Sequence, residues 1–160
     1  MITQDQVKDL FEYRDGKLYW KVKPNRKIKI GDAVGTLNLD GYLRTKINGE
    51  PYLVHRLIFL WHHGYLPTKV DHENTNRLDS RIENLRSAIG AQNNWNAKKP
   101  STNTSGIKGV SWYKARQKWK VQLCVDGKTK FFGHYHDIQI AKFIAETMRY
   151  KYHGAYANHG

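Results

Sequence analysis

The sequence predicts an α+β protein. An N-terminal β-meander leads through a helix into a polar region, and a three-stranded antiparallel sheet with one helix follows. Three observations predict this. Hairpin-turn dipeptides recur at Asp15-Gly16, Asp40-Gly41, Asn48-Gly49 and Asp126-Gly127, each between short apolar-rich runs. Two other stretches, Val54–His63 and Ile138–His153, carry apolar residues at helical rather than alternating spacing. A polar, proline-containing run, KKPSTNTS at 98–105, separates a first part from a second.

The elements follow in order. Residues 3–13 read as a short helix capped by Thr3, with Val7, Leu10 and Phe11 on one side. Asp15-Gly16 turns Phe11–Arg14 into a strand over 18–22. The basic connection Arg26, Lys27, Lys29 is either solvated loop or a phosphate contact. Strands are expected over 33–39, 42–47 and 52–54, a meander packed under the polar region. Val54–His63 is then a helix that stops at Gly64 and cannot continue past Pro67. In the second part, strands are expected at Val110–Tyr113, Lys118–Val125 and 129–132, followed by the helix Ile138–His153. Its apolar side is Ile140, Ala141, Ile144, Ala145, Met148 and Tyr152.

Composition narrows the function. The chain has 160 residues and a formal net charge of +13, so its natural partner is a polyanion. Residues 100–160 are the denser module, with 10 Lys and Arg against 3 Asp and Glu. Five Trp and ten Tyr argue against a disordered basic tail. No apolar run is long enough for a membrane span and no signal peptide is evident, so a soluble cytoplasmic protein without membrane partners is expected. The single cysteine, Cys124, excludes an internal disulfide and a Cys-pair structural zinc.

Residues 69–96, KVDHENTNRLDSRIENLRSAIGAQNNWN, organise the rest. Asp71 and His72 are adjacent, Asn84 comes twelve residues after His72, and Asn93 nine further on. One carboxylate, one imidazole and two amides are the parts of a small divalent-metal site with a base beside it. Phosphodiester cleavage needs a water deprotonated near neutrality, which suits histidine. It also needs charge stabilised on the phosphate and the departing oxygen, which suits a hard cation on oxygen ligands.

The pattern resembles the HNH (ββα-metal) endonucleases, in the branch ending in Asn. The flanking phrase agrees: an Asp-His pair, a polar Asn-containing loop, a basic residue before Ile-x-Asn-Leu-Arg, then a terminal Asn. The resemblance implies that Asp71 and Asn93 hold one divalent metal, most readily Mg²⁺ with Mn²⁺ as substitute. His72 is then the general base, and Asn84 braces the loop between the ligand segments and helps orient it. Adjacent strand residues face opposite ways, so Asp71 and His72 converge on one phosphate only if the strand ends or twists there. The phrase Tyr-x-x-His-Arg-Leu also matches, at Tyr52 to Leu57. It makes His55 either a packed helix-start residue or an active-site or phosphate contact, and adds Arg56 and Arg86 as DNA contacts. One departure is Ile89, where relatives carry a capping Thr or Ser. Asn93 then leans on packing of Trp95, with Asn94 or Asn96 as substitute ligand.

The second part resembles the AP2 DNA-binding domain. The matching words are Gly106-Ile107-Lys108-Gly109-Val110, Lys118-Trp119, Gly133-x-Tyr135, the helix around Ala141 to Ala145, and His153-Gly154 with the terminal Tyr-Ala-Asn. In that family the sheet enters the major groove of double-stranded DNA. Alternation puts Trp119, Val121, Leu123 and Val125 toward the helix and Lys118, Lys120 and Gln122 toward DNA. Lys108, Ser111, Tyr113, Lys114, Arg116, Lys130 and Phe131 complete the expected surface. His134 and His136 lack further ligands for a metal. RNA is disfavoured, because the exposed sheet is expected to lack a pair of stacking aromatics.

The expected organisation is therefore an HNH domain over 1–98 with its core at about 52–97, a linker over 99–105, and an AP2-like domain over 106–160. The expected function is a phage homing-type DNA endonuclease, monomeric or weakly dimeric, working in the cytoplasm of the host. A DNA-binding regulator with a decayed site and a structure-specific repair or recombination nuclease are the alternatives.

Overall fold

The computed structural model describes residues 2–88, 95–97 and 99–159. The chain divides into two compact units, Met1–Ala88 and Ile89–Gly160.

The first unit is built around a buried helix. Helix α1, Gln4–Leu10, starts in a capping box: the Thr3 hydroxyl accepts from the Gln6 N–H, and the Gln6 side chain accepts from the Thr3 N–H. The helix is shorter than expected, because Phe11 takes extended backbone and opens strand β1, Phe11–Arg14, which pairs with β2, Lys17–Trp20. The meander is β3, Thr36–Leu37, β4, Leu43–Ile47, and β5, Glu50–Leu53, hydrogen-bonded in that order. Strand β3 is shorter than the expected 33–39 because the chain before it serves another strand. Val34 N–H donates to Leu18 O at 2.8 Å and Trp20 N–H to Asp32 O at 3.0 Å. Helix α2, Val54–His63, buries Leu57, Ile58, Phe59 and Leu60 in succession, so apolar surface covers most of its circumference. Val7, Phe11, Leu18, Trp20, Val34, Ile47, Val54, Val70 and Leu85 complete that core. Strand β6, Lys69–His72, pairs antiparallel with β7, Leu85–Ala88, and a 3₁₀ turn at Ile82–Asn84 leads into β7.

The second unit has three antiparallel strands, β8, Val110–Tyr113, β9, Lys118–Val125, and β10, Lys128–Tyr135, with β9 central. Helix α3, Ile138–His153, is capped by Asp137 and crosses one face. Val110, Val121, Ala141 and Ala145 form the core beneath it. The apolar side differs from expectation at two places. Ile140 is half exposed, whereas Arg149 is fully buried. Arg149 is retained there because its guanidinium donates to Lys108 O and bonds His159 Nδ1 at 2.9 Å, tying β8's approach and the C-terminal tail to the helix. The segment 99–105 is pinned as well: Ser105 Oγ donates to Val110 O at 2.8 Å, and Asn103 Nδ2 to Ile107 O at 3.0 Å.

One contact ties the N-terminal hairpin to the polar loop before β7. Gly16 has φ +79°, and a Cβ there would sit 2.8 Å from Arg81 N and 3.2 Å from Ser80 C. Tyr13 Oη accepts from Ile82 N–H at 3.2 Å beside it. Gly49 has a similar φ of +85° but open space around it. Gly49→Ala should therefore cost only the conformational part, about 1 kcal/mol. Gly16→Ala should cost at least about 2 kcal/mol, because backbone must also move. Chemical denaturation of both variants checks this, and equal losses would mean that the hairpin does not brace the loop.

Candidate active site

Asp71 and His72 are the last two residues of β6, and both are buried, at 6% and 4% exposure. They face opposite ways, as alternation requires. Asp71 stands opposite Arg86 on β7, whose Nε donates to Asp71 Oδ2 at 3.1 Å within an ion pair. His72 turns toward helix α2 and the meander. Its ring centroid is 4.8 Å from that of His55 and 6.1 Å from that of Tyr42. The strand ends at His72, where Thr75 N–H caps the His72 carbonyl at 2.9 Å with a positive φ of 60°.

Asn84 holds the loop that follows. Its Oδ1 accepts from Asn74 N–H at 2.9 Å, while its Nδ2 donates to Asp79 O at 2.6 Å and to Asn74 Oδ1 at 3.0 Å. Both ends of its amide are therefore used on backbone ten and five residues earlier. Arg81 forks onto Asp79 with two bonds of 2.8 Å. That guanidinium holds the Asp79 carboxyl well below its usual range. Arg77 reaches back to Asp40 O at 2.6 Å and lies over the Tyr42 ring at 4.9 Å. Tyr42, Arg77, Asp79 and Arg81 were not read as site residues. The available signal was Asp79 two residues before Arg81, a spacing that lets a carboxylate and a guanidinium meet within a turn.

The electrostatics favour neutral imidazoles. Burial pushes His55 down to about 3, helped by His72 and Arg56. Burial also lowers His72, against the pull of Asp71 and Asp79. A neutral imidazole can accept a proton, which is the requirement for a base.

The other expected residues are distributed as follows. Asn93 and Ile89 lie outside the described residues. Trp95 stacks on His153 with centroids 4.6 Å apart and planes 4° from parallel, and Asn96 is buried with its carbonyl accepting from Asn158 Nδ2 at 2.7 Å. Arg56 donates to Pro67 O at 3.0 Å and Thr68 O at 3.2 Å, so it closes the turn after α2. Lys108 donates to Trp95 O at 2.9 Å and to Ala97 O, and burial lowers it to about 8. Lys130 pairs across from Leu123 on the helix side, with its amine 4.6 Å from the Tyr152 ring. Cross-strand register puts Ser111 with Lys120, Tyr113 with Lys118 and Phe131 with Gln122 on the face away from α3. Lys114 and Arg116 lie in the 3₁₀ turn between β8 and β9. That open face also carries stacking aromatics, contrary to expectation: Tyr113 and His134 stack with centroids 5.0 Å apart.

Among the described residues, no group of three or more His, Cys, Asp or Glu side chains is gathered for a metal. The buried Asp71 carboxylate is an oxygen donor of the hard-cation kind. No described helix is long and apolar enough to cross a membrane.

The HNH endonuclease family profile matches residues 52–94, a span that contains Asp71, His72 and Asn84. Protein 3.8 of Escherichia phage T7 is 38% identical over 88 residues, covering 55% of this chain and 72% of that protein. No solved structure matches significantly. Residues 52–94 are thus an HNH endonuclease family domain, and the chain is a relative of Protein 3.8 of the phage.

Proposed function

We propose that the protein is a metal-dependent DNA endonuclease of the phage homing type, acting in the host cytoplasm. Its second unit is an AP2-like module that holds the double-stranded substrate. The observation that carries this reading is the pair of adjacent buried residues ending β6, Asp71 and His72, with Asn84 bracing the loop that leaves it.

The chain's own residues have separable duties in this reading. His72 takes the proton of the attacking water at an imidazole nitrogen. His55 and Tyr42 pack against its ring and limit its rotation. Asn84 fixes the loop and thereby the end of β6. Asp71 would hold a divalent cation, with Asn93 as the second ligand that the family resemblance implies. The cation, Mg²⁺ or Mn²⁺, stabilises developing charge on the phosphate when bound. Arg86 orients the Asp71 carboxylate through their hydrogen bond rather than gripping DNA. The DNA surface is then the open sheet face with its turn: Ser111, Tyr113, Lys114, Arg116, Lys118, Lys120, Gln122 and Phe131.

The direct test is cleavage of supercoiled DNA with Mg²⁺ and with EDTA. Wild type should nick or linearise the plasmid only with metal. His72→Ala should lose at least about a hundredfold in rate and keep its DNA affinity. Binding lost together with cutting would contradict the division of labour.

Acid should also destabilise the first unit in a specific way. His55 has its ordinary value near 6.5 when unfolded and about 3 when folded. The unfolded chain therefore takes up a proton in that window that the folded chain refuses. Stability present above about pH 6.5 is lost as pH falls toward 3, by up to about 1.4 kcal/mol per pH unit for each such proton. Urea unfolding at about pH 7.5 and about pH 5 measures it. His55→Leu should flatten the slope by about one proton's share, and an unchanged slope would mean that His55 is not held neutral.

A further inference from the structure

The open face of the second unit's sheet carries a feature that duplex binding does not require. Tyr113 from β8 and His134 from β10 stack across the central strand, with planes 19° apart. Phe131 adjoins His134 with centroids 4.8 Å apart. Phe131 and His134 are three residues apart, so a regular strand would send them to opposite faces. The register shift between Phe131 and Gly133 inserts one extra residue and puts both on the open face, opposite Gln122 and Lys120. Phe132, the inserted residue, packs instead toward the helix beside Tyr152.

A cross-strand aromatic pair can serve the sheet alone. That explanation fails for Phe131, which keeps 56% of its surface in water, and Tyr113 keeps 38%. Among the described residues, the second unit's core includes neither ring. His134 is held below its usual range by burial and by Arg116, Lys118 and Lys120, so it offers a neutral aromatic surface. The same three cations therefore surround the rings. Between Gly106 and Tyr135 the one acidic residue is Asp126, against seven Lys and Arg. Flat exposed rings flanked by cations, without carboxylates, match the two recurring parts of an unpaired strand: base faces and phosphates.

We infer that Tyr113, His134 and Phe131 form a stacking platform for unpaired bases, with Lys118, Lys120 and Arg116 on the phosphates, so that this face takes single-stranded DNA. The inference rests on the reading of the second unit as a DNA module and sharpens its partner: the favoured substrate has an unpaired segment as well as a duplex to cut. Tyr113 and Phe131 set the preference for unpaired over paired DNA, and the Lys residues serve both.

The test is fluorescence anisotropy of the full-length protein with a dT oligonucleotide, a blunt duplex of equal length and an rU oligonucleotide, without metal. Tyr113→Ala and Phe131→Ala should each weaken dT binding tenfold or more, and duplex binding by a clearly smaller factor. Tyr113→Phe and Phe131→Tyr should restore dT affinity, which separates stacking from a folding defect. Lys120→Ala should weaken both DNA forms and lower the salt slope. Equal losses on dT and duplex, or no loss on dT, would overturn the platform. Tighter rU than dT binding would overturn its assignment to DNA. Plasmid cleavage by the same variants is scored separately, so an inactive nuclease and a failed platform give different results.

Discussion

The first unit depends on how the chain leaves β6. Two neighbouring polar residues, Asp71 and His72, are buried side by side at a strand end. Each burial needs its own compensation, since a buried polar group without a partner is costly. Asp71 finds it across the hairpin in Arg86. His72 packs against rings from α2 and the meander, and burial there favours its neutral form. The loop that follows must be rigid enough to maintain both, and Asn84 supplies that rigidity by bonding with both ends of its amide. An Asp at 84 could accept from Asn74 N–H but could not donate to Asp79 O. The requirement for both an acceptor and donors explains an amide there in physical terms.

This constraint also accounts for the rest of the N-terminal fold. The β1–β2 turn packs on Ser80 and Arg81, Tyr13 receives the Ile82 N–H, and Arg77 clips the loop to Asp40. Helix α2 presents His55 to His72 and buries its apolar residues against the hairpin and meander. The small sheets, each of two or three strands, would be marginal alone. They share one core and converge on the same loop.

Local chemistry made much of this legible. The turn dipeptides, the Thr3 cap, the stop at Gly64 and the helical run at Val54–His63 act through neighbours in sequence. Asp71, His72 and Asn84 stand out in the sequence by spacing and type, and the structure places the first two buried at a strand end with Asn84 bracing the loop. Long-range relations were less accessible. His55 could not be told apart as packed or functional, because its burial depends on the meander. Arg56, Lys108 and Arg149 look like surface cations in sequence, yet backbone carbonyls distant in sequence take up their donors. The bulge at Phe132 was invisible to a period-two rule, and it changes the face of every residue after it.

The bulge shows why charge counts alone are a poor guide to a binding surface. The C-terminal module is strongly basic, but Lys108 and Arg149 are spent on carbonyls and Lys130 lies on the helix side. The cations left on the open face, Lys118 and Lys120 with Lys114 and Arg116 at its turn, are fewer than the composition implies. They are grouped around rings rather than spread evenly. An evenly charged face would track any duplex backbone. A face with cations around exposed rings gains extra contact only where bases are free to leave their stack, because paired bases hide their faces from a protein side chain. The arrangement of the cations, more than their number, therefore argues for discrimination between paired and unpaired DNA.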